Sequence, residues 1–187
     1  MSGRVPGELA GSVRWAIAPY SPQPPFRIYA AGHEPYTIED PEQLIRAARE
    51  GGDPEFTYLV RAKARPVLIL NNPPRSEWRE VTALRLIRFS KIADPDKQER
   101  VRQQKEPLLI HLDPSRFKLP EETAVVIPAL VTIGVGAISF GPSLGELDDN
   151  EMRVLGERVI RYYEFDTRLL VEQMIHELAE RRRQRGR

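Results

Sequence analysis

Apolar positions recur with a period of two through the middle of the chain and at helical spacing towards its end. Ser12–Pro19 (SVRWAIAP) alternates weakly and runs into a proline-rich break, which predicts a first strand after a loose start over residues 1–11. Residues 20–25 read as loop and 26–31 as a second short strand. Asp40-Pro41-Glu42 opens a helix. The aspartate caps free amides, the proline fits the first turn, and the acid lies near the positive end of the dipole. Leu44, Ile45 and Ala48 share one face of that helix, and Gly51-Gly52 ends it.

Residues 56–62 and 66–70 are predicted strands, the second stopped by Asn71-Asn72-Pro73-Pro74. Residues 81–89 (VTALRLIRF) alternate in part. Residues 93–105 are highly charged and read as an exposed loop or helix. Residues 108–112 (LLIHL) are a strand, Pro114-Ser115-Arg116 turns the chain, and Phe117 and Leu119 re-anchor it. Residues 124–127 and 130–133 are strands on either side of Pro128, whose missing N–H implies an edge, bend or bulge. Asp148-Asp149-Asn150-Glu151 has the form of a capping box, with Met152, Leu155, Val159 and Tyr163 following at helical spacing. A second helix is expected over residues 167–183, with Leu170, Met174, Ile175 and Leu178 as its stripe. Many strands with helices at the end define a mainly β chain of α+β type, or a small barrel.

Composition narrows this picture. At 187 residues the chain makes one domain, 1–187, and 41% hydrophobic with 29% charged residues is an ordinary globular balance. The net charge is +1, so any attraction to phosphate must come from local patches. Without cysteine there are no disulfides, thiolate metal sites or cysteine nucleophiles. No apolar run approaches the roughly 18–20 residues of a membrane span, and residues 1–10 lack a signal-peptide core. A soluble cytoplasmic protein is expected. Arginine outnumbers lysine 23 to 5, and only the guanidinium offers phosphate a planar two-pronged fork. The one basic block is 181–187, either a nucleic-acid grip or a solubilising helix end.

Three segments resemble, in order, the MazF/PemK toxin family. Arg65-Pro66-Val67-Leu68-Ile69-Leu70-Asn71-Asn72 is similar to the family's arginine-proline, apolar strand and polar turn. Leu112-Asp113-Pro114-Ser115-Arg116-Phe117-Lys118-Leu119-Pro120, followed by Thr123-Ala124-Val125-Val126-Ile127 and Leu130-Val131-Thr132-Ile133, resembles its acidic turn and the strands after it. Gly145-Glu146-Leu147-Asp148-Asp149-Asn150-Glu151-Met152 is similar to its entry into a C-terminal helix. The resemblance implies a small antiparallel SH3-like barrel that forms a homodimer, cuts single-stranded RNA without metal or other cofactor, and is held in check by a small antitoxin protein. Three departures stand out. The stretch from Tyr20 to Tyr58 replaces a short loop rich in glycine, glutamate and glutamine. The family's catalytic threonine aligns with Phe89 or Ser90. The helical extension over 148–183 and the tail beyond it are longer than usual.

Such cleavage needs the 2′-oxygen to attack the adjacent phosphorus, with help in removing a proton, stabilising the crowded anion and protonating the leaving 5′-oxygen. The resemblance gives Arg65 the anion, held by the proline after it at a strand start, and gives Ser90 a hydrogen bond to the phosphate or the 2′-hydroxyl. The opposing readings are a solvated strand-edge arginine and a serine that caps a turn. His33, in the inserted stretch beside Glu34, is a candidate acid–base group, since histidine titrates near neutrality. His111 is expected to point outward, and His33, His111 and His176 have no metal-site spacing. Asn71 and Asn72 either form a tight turn or read base edges. Arg75 and Arg79 flank the same strand as candidate RNA contacts. Arg79 and Arg85 share a face by parity, and Arg88 lies on the other.

These residues leave three readings: a metal-independent endoribonuclease toxin, a barrel that binds RNA or protein without cutting it, and an oligomeric assembly module built on its helices.

Overall fold

The computed structural model describes residues 9–20, 26–29, 34, 36–40, 42–49, 57–73, 79–139 and 141–164. In chain order the strands are β1 (Ser12–Pro19), β2 (Phe26–Tyr29), β3 (Tyr36–Ile38), β4 (Thr57–Tyr58), β5 (Ala62–Ile69), β6 (Glu80–Arg88), β7 (Leu109–Leu112), β8 (Thr123–Gly134) and β9 (Gly145–Glu146). The helices are α1 (Glu42–Arg49), α2 (Pro95–Arg102) and α3 (Asp149–Tyr163). Six strands form an antiparallel sheet in the order β7-β8-β6-β5-β1-β9, and β3-β2-β4 form a smaller one.

The large sheet curls. The chain leaving β8 turns through Val135–Ala137 and meets β1, three places along the sheet order, through an Ala16–Ile138 bridge and the Ser139 N–H donating to the Trp15 carbonyl at 2.8 Å. Side chains from both ends of the sheet therefore meet on one face. Ala16 and Ala18 of β1 pack with Val67, Ile69, Val81 and Ala83, and with Val131, Ile133, Val135 and Ile138 from β8 and beyond it. This is the inner face of a half-barrel. The opposite face buries Val13, Leu68, Leu84, Val125 and Ile127 beneath Leu155 and Val159 of α3. Leu155 is fully buried, which contributes roughly 1.5–3 kcal/mol to docking that helix. A third cluster, Phe89, Ile92, Val101, Leu109 and Ala124, continues the inner face beneath α2.

Because both faces of β5 meet a core, Val67, Leu68 and Ile69 are all buried, so the strand reads as a continuous apolar run rather than an alternation. The same strand begins at Ala62, four residues before the proline, so Arg65 lies inside it, opposite Ala16, and not at a strand start. β8 is one strand of twelve residues where two were expected. Pro128 is accommodated because the β6–β8 register slips between Leu84↔Leu130 and Leu86↔Val125, which leaves residues 126–129 outside that ladder. Residues 93–105 resolve into α2, with Pro95 in its first turn and the Asp94 carboxylate accepting from the Asp96 amide. The Asp148–Glu151 capping box forms as its spacing suggests. β3 and β9 were not anticipated; each is two or three residues long and is defined by its partners.

The inserted stretch supplies β2, β3, α1 and β4. The Asp40 carboxylate accepts from the Glu42 amide at the start of α1. The expected second C-terminal helix and the basic block lie outside the described residues. So do the Gly51-Gly52 stop and the end of the second predicted strand at 30–31.

Candidate functional site

Alternation along each strand and the register between strands decide which polar side chains share the inner face. Val67 and Ala83 point into the inner cluster, so Arg65 and Arg85, each two residues away on its own strand, point the same way. Arg85 sits directly opposite Val67, which makes Arg65 and Arg85 diagonal neighbours, with side chains starting about 7 Å apart. The positions around Arg65 on this face are Arg14, Ala16, Ala18, Lys63, Val67, Arg85, Ile87 and Phe89. They carry positive charge and apolar surface, and no carboxylate.

Both arginines are half-buried, and the Nε of each is buried without a hydrogen-bond partner. Neither forms an ion pair among the described residues. The Arg65 guanidinium packs on the ring of Tyr20, 4.9 Å from its centroid. A ring occupies the flat face of a guanidinium and leaves its in-plane N–H groups able to grip an anion. Tyr20 follows β1 directly, and its amide donates to the Arg61 carbonyl at 2.8 Å, which continues the β1–β5 pairing to the residue whose ring lies against Arg65.

The remaining candidates are dispersed. Ser90 lies in a 3-10 turn (Phe89–Lys91) beyond the end of β6, where its hydroxyl donates to Glu121 Oε2 at 2.7 Å. Arg88 pairs with the other oxygen of Glu121 at 3.1 Å. Asn71 and Asn72 lie at the opposite end of β5, six residues and about 20 Å along the strand from Arg65. The Asn71 side chain accepts from the Thr82 amide at 2.7 Å. That of Asn72 accepts from the Leu9 and Ala10 amides at 2.7 and 3.0 Å. Both therefore hold backbone together, without the positive φ expected of a tight turn. Arg79 is exposed at that same end. His33 and Arg75 lie outside the described residues.

His111 does not point outward. Its ring is held edge-on to Phe89, centroids 5.4 Å apart, with Nε2 3.1 Å from Glu122 Oε1 but off the line a hydrogen bond needs. Glu122 receives two hydrogen bonds from Arg102, both 2.8 Å. These bonds, reinforced by the charges of Arg102 and His111, hold the Glu122 carboxyl below the usual glutamate range. The Asp113 carboxyl is likewise lowered, by the Ser115 amide and hydroxyl.

Sequence reasoning reached Arg65 but did not join Arg85 to it. Their parity within each strand is visible in the sequence, but the register that makes them neighbours depends on how residues 70–79 connect β5 to β6. Among the described residues, no group of three or more histidines or carboxylates is placed to hold a metal ion, and no helix is long and apolar enough to cross a membrane. No protein-family model matches the chain, and no curated protein matches it.

Proposed function

We propose that the chain is a MazF/PemK-like SH3-type barrel that binds single-stranded RNA along its inner face and cleaves it without a metal, as a cytoplasmic toxin restrained by a small antitoxin. One observation carries this reading: Arg65 faces inward, half-buried, packed on Tyr20, and among the described residues no acid occupies the positions around it. A partly desolvated, unpaired guanidinium is costly for folding alone, and a phosphodiester oxygen supplies the missing partner. As the 2′-oxygen closes on phosphorus, charge grows on the non-bridging oxygens, and a fixed guanidinium stabilises that state more than the ground state. The 2′-hydroxyl gives its proton to water as the 2′-oxygen–phosphorus bond forms, the P–O5′ bond breaks, and the 5′-oxygen takes a proton from water, leaving a 2′,3′-cyclic phosphate and a 5′-hydroxyl. The Ser90 hydroxyl, oriented by Glu121, retains lone pairs that can accept from the 2′-hydroxyl.

A second reading, a barrel that binds RNA and does not cut it, draws on a different observation. Among the described residues, none of the positions surrounding Arg65 on the inner face is a histidine or a carboxylate, so no acid–base group adjoins the phosphate there. The deciding experiment incubates wild-type and Arg65→Ala protein with mixed-sequence single-stranded RNA in the presence of chelator. Cleavage by wild type alone supports the nuclease. Binding without cleavage by the wild type supports the second reading, and neither binding nor cleavage by the wild type rejects both. Sedimentation of the purified chain tests the homodimer.

A further inference from the structure

We propose that Arg65 and Arg85 act as a pair, two guanidinium groups closing on one phosphoryl group at the inner face of the half-barrel. The choice of an RNA backbone as the natural source of that group rests on the function proposed above; the site itself rests on the arginines.

This protein treats its other half-buried arginines differently. Arg14 shares the inner face, and its Nε donates to Ser12 Oγ at 3.1 Å while Nη1 donates to the carbonyls of Gly141 and Ser139 at 2.7 and 3.4 Å. Arg158, on α3, is satisfied by the carbonyls of Gln104, Glu106 and Leu109 at 2.9–3.2 Å. Both are structural arginines, and acceptors surround them. Among the described residues the side chains of Arg65 and Arg85 make no hydrogen bond, their Nε atoms are buried, and each has the other's like charge as a diagonal neighbour. Two unpaired cations side by side destabilise a folded chain. An anion between them reverses the sign of that interaction, as each fork donates to it in-plane. A phosphoryl group suits both forks, because its non-bridging oxygens can be approached from two sides at once.

The site also has walls. Tyr20 covers one face of Arg65, Val67 and Ile87 flank the pair, and Lys63 is exposed at the rim on the same face. Arg85 is the residue between the two Leu positions across which the β6–β8 register slips. Irregularities of this kind often re-aim a side chain beside a functional site.

The test uses the full chain as wild type, Arg65→Gln, Arg85→Gln, Arg85→Lys and a charge-matched control, Arg153→Gln, on the outer side of α3. A short 2′-O-methyl RNA, which cannot be cleaved by 2′-attack, is titrated at several salt concentrations. The expected result is a roughly tenfold weaker affinity for Arg85→Gln, with the salt slope reduced by about 0.7, the share of one single-strand phosphate contact. Arg85→Lys regains part of the affinity because it keeps the charge and loses the fork, and Arg153→Gln behaves as wild type. In parallel, thermal unfolding is followed in inorganic phosphate and in chloride of equal ionic strength. Phosphate raises the wild-type Tm and leaves that of Arg85→Gln unmoved, and without phosphate Arg85→Gln unfolds no lower than wild type.

An Arg85→Gln protein with unchanged RNA affinity, salt slope and response to phosphate overturns the pair. So does one that unfolds well below wild type while phosphate protects both equally, since Arg85 is then structural. Protection by phosphate without an RNA effect supports the site and assigns it to a free small anion. Loss of RNA affinity in Arg85→Gln alongside a wild type that cuts nothing keeps the pair and removes the nuclease. Cleavage by wild type with no change in Arg85→Gln does the reverse.

Discussion

Two regions of the curled sheet handle positive charge in opposite ways. At the α2 end, Arg88, Arg100 and Arg102 each face a carboxylate: Glu121 at 3.1 Å, Glu106 at 3.6 Å and Glu122 at 2.8 Å. On the inner face, Arg65 and Arg85 face one another's strand, and the described positions around them are apolar or basic, with no acid. The first arrangement is complete within the chain and needs nothing else. The second leaves two guanidinium groups without an acceptor among the described residues, which is what the proposed anion would supply. What separates Arg65 and Arg85 from Arg14 and Arg158 is the presence of acceptors, rather than burial, because Arg14 and Arg158 are half-buried as well.

The contrast breaks most visibly at Arg65. Arg65→Ala lowers RNA cleavage about a hundredfold or more, the usual effect of deleting one donor to a developing oxyanion. Arg102→Ala leaves cleavage unchanged and lowers the melting temperature. Rate measurements and melting curves on both variants check this, and interchanged effects would refute the distinction. A smaller effect is expected at the satisfied asparagine. Asn72→Ala leaves the Leu9 and Ala10 amides without their acceptor, a loss of about 1 kcal/mol in denaturant unfolding, and does not change which RNA sequences are bound. A changed sequence preference at intact stability would make Asn72 a base reader.

Ser90→Ala separates the two proposed functions. It removes one exposed hydrogen bond to Glu121 and costs about 0.5–1 kcal/mol at most. If the hydroxyl takes part in proton transfer, the cleavage rate falls while RNA affinity holds; equal rates leave Ser90 as the partner of Glu121 alone. The smallest effect is a pH dependence. Glu122 is held below its ordinary value of 4.5 in the folded chain, chiefly by Arg102. Its contribution to stability is therefore complete above that value and is lost as the pH falls through the lowered one. Unfolding curves of wild type and Glu122→Gln should converge in acid and part above about pH 5; curves that stay parallel throughout would remove Glu122 from the balance.

Much of the architecture was legible locally. The Asp148–Glu151 box, the Asp40 cap, the first strand and the apolar runs of β5 and β7 are short-range signals, and each element formed close to where its own residues place it. Boundaries went astray where a partner decides them. Pairing with β1 extends β5 back to Ala62, and a register slip carries β8 through Pro128 as one strand. His111 turned inward because α2 and Phe89 cover that face, which no spacing within LLIHL reports. The candidate site divided for a similar reason. Asn71 and Asn72 follow Arg65 closely in sequence, but a strand is extended, so they lie at its far end and serve the backbone.

By itself the sequence determined where most of the longer strands and the helices lie, because capping and periodicity act over three or four positions. It also determined that arginine, and not lysine, would be the cation available to any anion. The tertiary structure decided which arginines remain available. Neutralisation depends on which acceptors come within about 3 Å, and that follows from strand register and curl, set between segments far apart in the chain.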